Sequence, residues 1–407
     1  MSRSYPKVFV TKKGEAHLKS GHPWVFEGEV TAVSGEFENG DIADVYSSKN
    51  RYLGSGYINS NSKIRVRVIS KNANDKFDEA FYKRRLKYAV DYRRTVMGER
   101  DFKCCRLIFG EADLFPGLTV DRFSDVLSVQ VLSLGIEKIK HFLIPDLVEI
   151  LKEYGENITA VYERNDVAIR ELEGMEQYKG FFEAPGLLSS REPTVIIEEN
   201  GIKYEVDFVN GQKTGFFLDQ KYNRLAIQKI AAGKTVLDCF THTGAFALNA
   251  YSAGAKAVTA VDISGEAIEK AKKNAELNGF SGINFVTENV FDLLTDMKNG
   301  GKCPYDFIIL DPPAFTKSSS TVSSAYRGYK EINLKAMKLL PRGGYLATCS
   351  CSHFMTDELF RKMLADAAGD ADVSLREVEV RKQSPDHPIL MNVPETEYLK
   401  FYISQVV

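Results

Sequence analysis

The stretch TVLDCFTHTGAF, residues 235–246, decides the fold class. It reads as an apolar strand that ends near Asp238, then a short loop, then a helix that Gly244 opens. A dinucleotide-binding fold would carry G-x-G-x-x-G here, so that backbone amides could approach a pyrophosphate. This loop has a single glycine and an acid instead. It therefore favours a cofactor without phosphate but with an amino group and a positive charge, as in S-adenosylmethionine.

The sequence around this stretch alternates between strands and helices from about residue 190. A helix such as SGEAIEKAKKNAELNG has Ser264 as a candidate N-cap and Gly279 just past its end. Such alternation predicts an α/β fold with a parallel, doubly wound sheet that binds ligands at the carboxyl ends of its strands. The five predicted strands are residues 235–240, 257–263, 283–290, 306–311 and 344–352.

Three polar residues end successive strands. Asp262 follows Asp238 by 24 residues, at the place where a carboxylate accepts the ribose hydroxyls of a nucleoside. Asn289, in TENV, ends the third strand, where an adenine edge would be read. Each residue alone could merely cap a helix, but together and in this order they predict S-adenosylmethionine as the cofactor.

The fourth strand ends in DPPAF and the fifth in CSCS. Two prolines stop the fourth strand and fix Asp311 at the sheet edge, where it could anchor a flat base; a rigid turn is the alternative. The thiols of Cys349 and Cys351 could bind metal, pack in the core or act as a nucleophile. Metal needs about four ligands, and Cys349, Cys351 and His353 offer at most three.

A nucleophile has a chemical reason, because carbon 5 of a pyrimidine accepts a methyl group only after a nucleophile adds to carbon 6. Alternation does not choose between the two thiols, since residues 349 and 351 share a face. Cys351 lies nearer the carboxyl end of the strand, where substrates bind. We therefore predict Cys351 as the nucleophile, Cys349 as packing and no metal site.

The N-terminal part differs in pattern and in charge. Residues 1–72 read as five short strands and one short helix, which favours a small β-barrel, and residues 73–189 as an α+β region without a catalytic motif. Residues 1–110 carry 21 Lys and Arg against 13 Asp and Glu, and the remainder carries 32 against 42, net charges of +8 and −10. This split favours polyanion binding by the N-terminal part.

Composition points to the compartment. Six cysteines in 407 residues are too few for a disulfide framework, no apolar run reaches about 20 residues, and the first residues lack a secretory pattern. We expect a cytoplasmic protein without a membrane segment.

Several motifs together resemble the bacterial large-subunit rRNA cytosine-5 methyltransferase I family. They are GHPWVFEGEV, GQKTGFFLDQKYNR, FTHTGAF, AVDIS, DPPAF, RGYKEINLKAMKLL, GGYLATCSCS and DHPILMNVPETEYLK, and they span essentially the whole chain. The resemblance implies an RNA-binding PUA domain at 1–72, a middle α+β domain at 73–189 and a class I methyltransferase domain at 190–407.

The resemblance also implies methyl transfer from S-adenosylmethionine to carbon 5 of a cytosine in 23S rRNA, with Cys351 at the nucleophile position and Asp311 beside it. It implies further cofactor-binding residues besides Asp238, Gly244, Asp262 and Asn289, namely Asp219, Arg224, Phe240, Thr243, Ile263, Val290 and Asp311 itself. A homodimer is a further partner to consider.

Two positions depart from the family pattern. Asn289 stands where many relatives have Asp, and Ala314 stands where other RNA cytosine-5 enzymes have a Cys after the motif prolines. Two other functions stay open: methylation of another RNA base with the thiol structural, and a catalytically silent RNA-binding factor in ribosome assembly.

Overall fold

The computed structural model describes residues 4–300, 303–316 and 318–407, which divide into two compact units. The first unit comprises residues 1–197, 206–218 and 385–396, and the second comprises 198–205, 219–384 and 397–407. The predicted boundaries at residues 72 and 189 are not tested by this division and stay predictions. Within the described residues, no helix is long and apolar enough to cross a membrane.

The first unit begins with a six-stranded sheet, of strand order β2-β6-β5-β4-β1-β3. Its core is formed by alternating apolar residues such as Val8, Val10, Val66 and Val68, all nearly or fully buried. The predicted segment WVFEGEV forms two strands, because a 3-10 turn at Glu27–Glu29 interrupts it. The elements are β1 (Lys7–Val10), α1 (Lys12–Lys19), β2 (Trp24–Phe26), β3 (Val30–Ser34), β4 (Ile42–Ser47), β5 (Tyr52–Ile58) and β6 (Ile64–Ser70).

The first unit also contains a five-stranded sheet of order β11-β10-β9-β8-β7. A helix follows the N-cap Asp78 and runs to Phe102, and Gly98 at φ +70° breaks its last turns. Pro145 lies inside a second long helix, Leu134–Glu153. The elements are α2 (Glu79–Phe102), β7 (Cys104–Phe109), β8 (Leu118–Phe123), β9 (Val126–Val131), α3 (Leu134–Glu153), β10 (Ala160–Asn165), α4 (Ile169–Leu172) and β11 (Tyr178–Phe181).

The chain leaves the first unit within β12 (Thr194–Glu199) and re-enters it within β13 (Ile202–Asp207). The second unit contains a seven-stranded sheet of order β16-β15-β14-β17-β18-β20-β19. Its elements are α5 (Lys221–Ala231), β14 (Thr235–Cys239), α6 (Ala245–Ser252), β15 (Ala257–Asp262), α7 (Gly265–Leu277), β16 (Ile283–Thr287), α8 (Val290–Asn299), β17 (Phe307–Leu310), α9 (Val322–Leu339), β18 (Tyr345–Ser350), α10 (Asp357–Asp370), β19 (Leu375–Arg381) and β20 (Lys400–Val406).

The five predicted strands are all confirmed, and each is one to three residues shorter than predicted. Neighbouring strands among them pair in parallel. Two antiparallel strands, β19 and β20, extend the sheet. Apolar clusters cover both faces, one around Leu237, Ile308 and Tyr329 and the other around Val236, Ile309 and Phe401. The strand order reverses between β14 and β17, the place where doubly wound sheets bind their ligands.

Candidate active site

The loop that follows β14 has a backbone that few sequences can adopt. Phe240, His242 and Gly244 all have positive φ, at 62°, 51° and 84°. A Cβ on Gly244 would lie 2.8 Å from Leu248 Cδ1, so glycine is needed for space as well as for conformation. Backbone held in this way is typical of ligand-binding sites. Thr243, half-buried, lies in the same loop at the start of α6.

Asp238 is fully buried at the end of β14, and one of its oxygens is available for a ligand. Oδ2 accepts hydrogen bonds from Thr241 Oγ1 at 2.5 Å and from the amide of Ala247 at 2.9 Å. No donor within the described residues reaches Oδ1. A buried acceptor without a partner is costly, and the amino group of S-adenosylmethionine would satisfy it.

Three carboxylates gather at these strand ends. The pKa of Asp238 is raised to about 7, chiefly by burial and also by the charges of Asp311 and Asp262, although the Thr241 and Ala247 hydrogen bonds lower it. Acids this close favour a cationic ligand. These three carboxylates therefore fit a cofactor that carries both an ammonium and a sulfonium.

Asp262 and Ile263 fit the nucleoside. The carboxylate of Asp262 accepts the amides of His242 and Ser264, each at 2.9 Å, which fixes its orientation while lone pairs stay available for ribose hydroxyls. Ile263 is 69% exposed, an apolar surface that an adenine could cover.

Asn289 caps α8, because its Oδ1 accepts the amide of Phe291 at 2.9 Å. Its NH₂ group is then the part able to meet an adenine. Val290, beside it, is buried in the apolar cluster beneath the site.

Asp219 and Arg224 are held by other side chains. Asp219 Oδ2 accepts the Tyr398 hydroxyl at 2.7 Å. Arg224 forms a bidentate ion pair with Glu199, with N–O distances of 2.6 and 2.8 Å, and both side chains are almost fully buried. Their roles as direct cofactor ligands stay predictions.

The two thiols have different surroundings. Cys349 is fully buried, and its Sγ donates to Asp311 Oδ1 at 2.8 Å. Gln220 Nε2 donates to the same oxygen at 3.1 Å. Burial, followed by the charge of Asp311, raises the pKa of Cys349 well above its usual value. Cys351 is half-buried and lies just beyond the last residue of β18.

A buried lysine stands next to the Cys351 segment. Lys400 pairs with Ser350 across β18 and β20, and its Nζ donates to the carbonyls of Ser352 at 2.5 Å and Tyr398 at 2.8 Å. Burial lowers the pKa of Lys400 to about 8, and the charge of a Cys351 thiolate acts in the opposite direction. The Lys400 ammonium and a Cys351 thiolate would therefore attract each other.

Sequence reasoning missed Gln220 and Lys400. The signal for Lys400 was a cation directly before the apolar run FYISQVV, where a lysine must find polar partners. Within the described residues no group of three or more His, Cys, Asp or Glu side chains could hold a metal ion.

This sheet and this site define a class I S-adenosylmethionine-dependent methyltransferase. The model of the S-adenosylmethionine-dependent methyltransferase family matches residues 134–401, and that of the PUA-like domain matches residues 8–71. Two solved structures share the fold at TM-scores of 0.81 and 0.82. They are a putative S-adenosylmethionine-dependent methyltransferase from Streptococcus mutans, 23% identical, and a putative methyltransferase complexed with S-adenosylhomocysteine, 22% identical. Both matches cover 98% of this chain, and they cover 100% and 99% of the two matched chains, respectively.

The chain belongs to the ribosomal RNA large subunit methyltransferase I family. The protein of that name from Klebsiella pneumoniae strain 342 is 38% identical over 406 residues, 99% of each chain. The one from Aeromonas salmonicida is 40% identical over 397 residues, 97% of each chain.

We expect the affinity for S-adenosylmethionine to rise as the pH rises toward 7. Because the pKa of Asp238 is raised to about 7, its carboxyl is protonated at lower pH and must lose a proton to pair with the ammonium. Affinity should therefore increase about tenfold per pH unit below about pH 6 and level off as the pH reaches about 7, where an α-amino group stays charged.

Titration calorimetry across this range measures the effect. Asp238→Asn should bind weakly at every pH, without the slope. A wild-type affinity that does not change with pH would contradict the assignment of Asp238 to the ammonium.

Proposed function

We propose that the protein transfers a methyl group from S-adenosylmethionine to carbon 5 of a cytosine in 23S rRNA, through an adduct between Cys351 and carbon 6. The observation that carries this proposal is the difference between the two thiols. Cys349 is buried and bonded to a carboxylate, which disfavours its thiolate, whereas Cys351 is half-buried beside the Lys400 ammonium. A nucleophilic cysteine needs access and a nearby positive charge.

The residues of the chain have separate tasks in this reaction. The Cys351 thiolate adds to carbon 6, and the electron pair of the 5,6 double bond moves toward carbon 5. Asp311 lies one strand away, because β17 and β18 are paired, and its carboxylate can accept the amino edge of the base. When bound, S-adenosylmethionine would supply an electrophilic methyl group for carbon 5, and the broken S–CH₃ bond would leave S-adenosylhomocysteine. Loss of the carbon-5 proton then restores the double bond and expels the Cys351 thiolate.

The substrate class rests on the relatives and on charge. Full-length relatives are named as methyltransferases of large-subunit ribosomal RNA. The PUA-like region lies within residues 1–110, whose net charge is +8. A basic region of this kind favours a polyanionic substrate. A ribosomal substrate would also place the activity in the cytoplasm.

Trapping of the adduct tests the proposal. The full-length protein is incubated with S-adenosylmethionine and 23S rRNA fragments containing 5-fluorocytosine, whose fluorine cannot leave as a proton does. Peptide mapping should find the RNA on Cys351. A crosslink on Cys349 would instead make Cys349 the nucleophile and Cys351 the structural thiol. Methylation at an exocyclic amine without any adduct would refute carbon-5 chemistry.

A further inference from the structure

A groove of about 560 Å³ runs beside the N-terminal half of α2, within the first unit. Helix α2 forms one wall. The other walls come from residues 112–114 and from Pro388, Ile389 and Leu390. The volume lies in the range that holds a small molecule or a single nucleotide. Neither the proposed catalytic chemistry nor the cofactor site uses this groove.

Exposed aromatic and apolar side chains line the groove. Tyr88 is 64% exposed and Tyr92 is 38% exposed, and Leu114 faces the same space. Arg84, Tyr88 and Tyr92 are spaced by four residues, so they form one ridge of the helix. The Tyr92 hydroxyl donates to the carbonyl of Pro385 at 3.1 Å, which fixes this wall. The groove therefore presents ring surface that the first unit itself does not bury.

Two cations in the groove lack a carboxylate partner. Other basic side chains of α2 form ion pairs: Lys83 with Asp146 and Glu149, Lys87 with Glu153, and Arg93 with Asp113. Among the described residues, no carboxylate oxygen lies within 4.0 Å of Arg84 or Arg85; both guanidinium groups lie against the Phe81 ring, at 5.6 and 4.2 Å from its centroid.

The two acids that line the groove are occupied. Asp113 is bound by Arg93, and the oxygens of Asp75 accept the Ser70 hydroxyl at 2.5 Å and the Asn72 amide at 3.0 Å. Burial lowers the pKa of Arg85, which reflects the cost of a half-buried guanidinium without a paired anion. An anionic ligand would complement both arginines.

We propose that this groove binds an unpaired stretch of RNA, with a base stacked on Tyr88 and the adjoining phosphates on Arg84 and Arg85. Exposed rings next to cations that have no carboxylate partner are the combination that single-stranded nucleic acid recognition uses, whereas bases in a duplex have no free face to stack. The inference rests on the proposed RNA substrate and adds a contact outside the PUA-like region.

Binding of a fluorescein-labelled single-stranded RNA of 12 nucleotides to the full-length protein, without cofactor, tests this proposal. Tyr88→Ala should weaken binding about 5- to 150-fold, the range for loss of one stacked base. Tyr88→Phe should bind as wild type, because stacking needs the ring and not the hydroxyl. Arg84→Ala should lower the slope of log affinity against log salt by about 0.7.

Matched controls are available on other surfaces. Leu172→Ala removes an apolar side chain of similar exposure, 67%, and Arg361→Ala removes an arginine that is 65% exposed. Both should bind as wild type, and the same sequence annealed into a duplex should not distinguish Tyr88→Ala from wild type.

The proposal is overturned if Tyr88→Ala and Leu172→Ala bind the single strand equally. It is also overturned if Tyr88→Ala changes only the oligomeric state in sedimentation, since a second copy of the chain would then occupy the groove. Because this binding is measured without S-adenosylmethionine and does not depend on methyl transfer, failure of the groove proposal is distinguishable from failure of the cytosine chemistry.

Discussion

Replacing Cys351 with serine should reduce methyl transfer by roughly 10³-fold or more, a loss typical of removing a catalytic nucleophile. A serine hydroxyl has nearly the same shape as the thiol but is scarcely ionised, so the attack on carbon 6 fails while the fold is kept. Cys349→Ser should keep most of the activity, because a hydroxyl there can still donate to Asp311, as the thiol does.

Single-turnover transfer of a labelled methyl group to 23S rRNA fragments measures both variants. Calorimetry should show unchanged binding of S-adenosylmethionine in each, which separates chemistry from cofactor affinity. An active Cys351→Ser enzyme would exclude Cys351 as the nucleophile. An inactive Cys349→Ser enzyme with intact cofactor binding would transfer that role to the buried thiol.

Replacing Glu199 with glutamine should destabilise the second unit by about 3–5 kcal/mol, the cost of removing one partner of a buried ion pair. Glu199 is fully buried and Arg224 is 2% exposed. Burial alone would lower the pKa of Arg224, but the Glu199 carboxylate raises this pKa above its usual value. Without that charge, the buried guanidinium loses its bidentate partner.

Urea unfolding followed by circular dichroism measures this loss, with Glu377→Gln as the matched control. Glu377 forms an ion pair with Arg361 at 3.2 Å, but both side chains are about half exposed or more, so its loss should cost less than about 1 kcal/mol. Equal losses of unfolding free energy in the two variants would show that burial does not increase the contribution of the Arg224–Glu199 pair to stability.

The parts of the fold that follow from local sequence were predictable. The strands of the second unit ended in Asp238, Asp262 and Asp311, and parallel pairing brings such ends to one edge of the sheet. The pairing of β17 with β18 places the ends of the fourth and fifth predicted strands side by side.

The parts that depend on distant pairing were not predictable. Lys400 lies about 50 residues after Cys351 in the chain. It reaches the Cys351 segment because β20 inserts between β18 and β19. No periodicity indicates such an insertion. Arg93, in α2, is fully buried and bonds to Asp113 and to the carbonyl of Asp386, which lies far away in the sequence.

Residues 385–396 have a consequence for synthesis on the ribosome. The amide of Arg106 and the guanidinium of Arg93 both bond to Asp386, almost 300 positions later. The first unit therefore cannot complete its hydrogen bonds until nearly the entire chain has been translated. Helix α2 and strand β7 are made early, but these two hydrogen bonds must wait for a segment that is made near the end of translation. Truncation near residue 380 should accordingly damage the end of the molecule that is translated earliest.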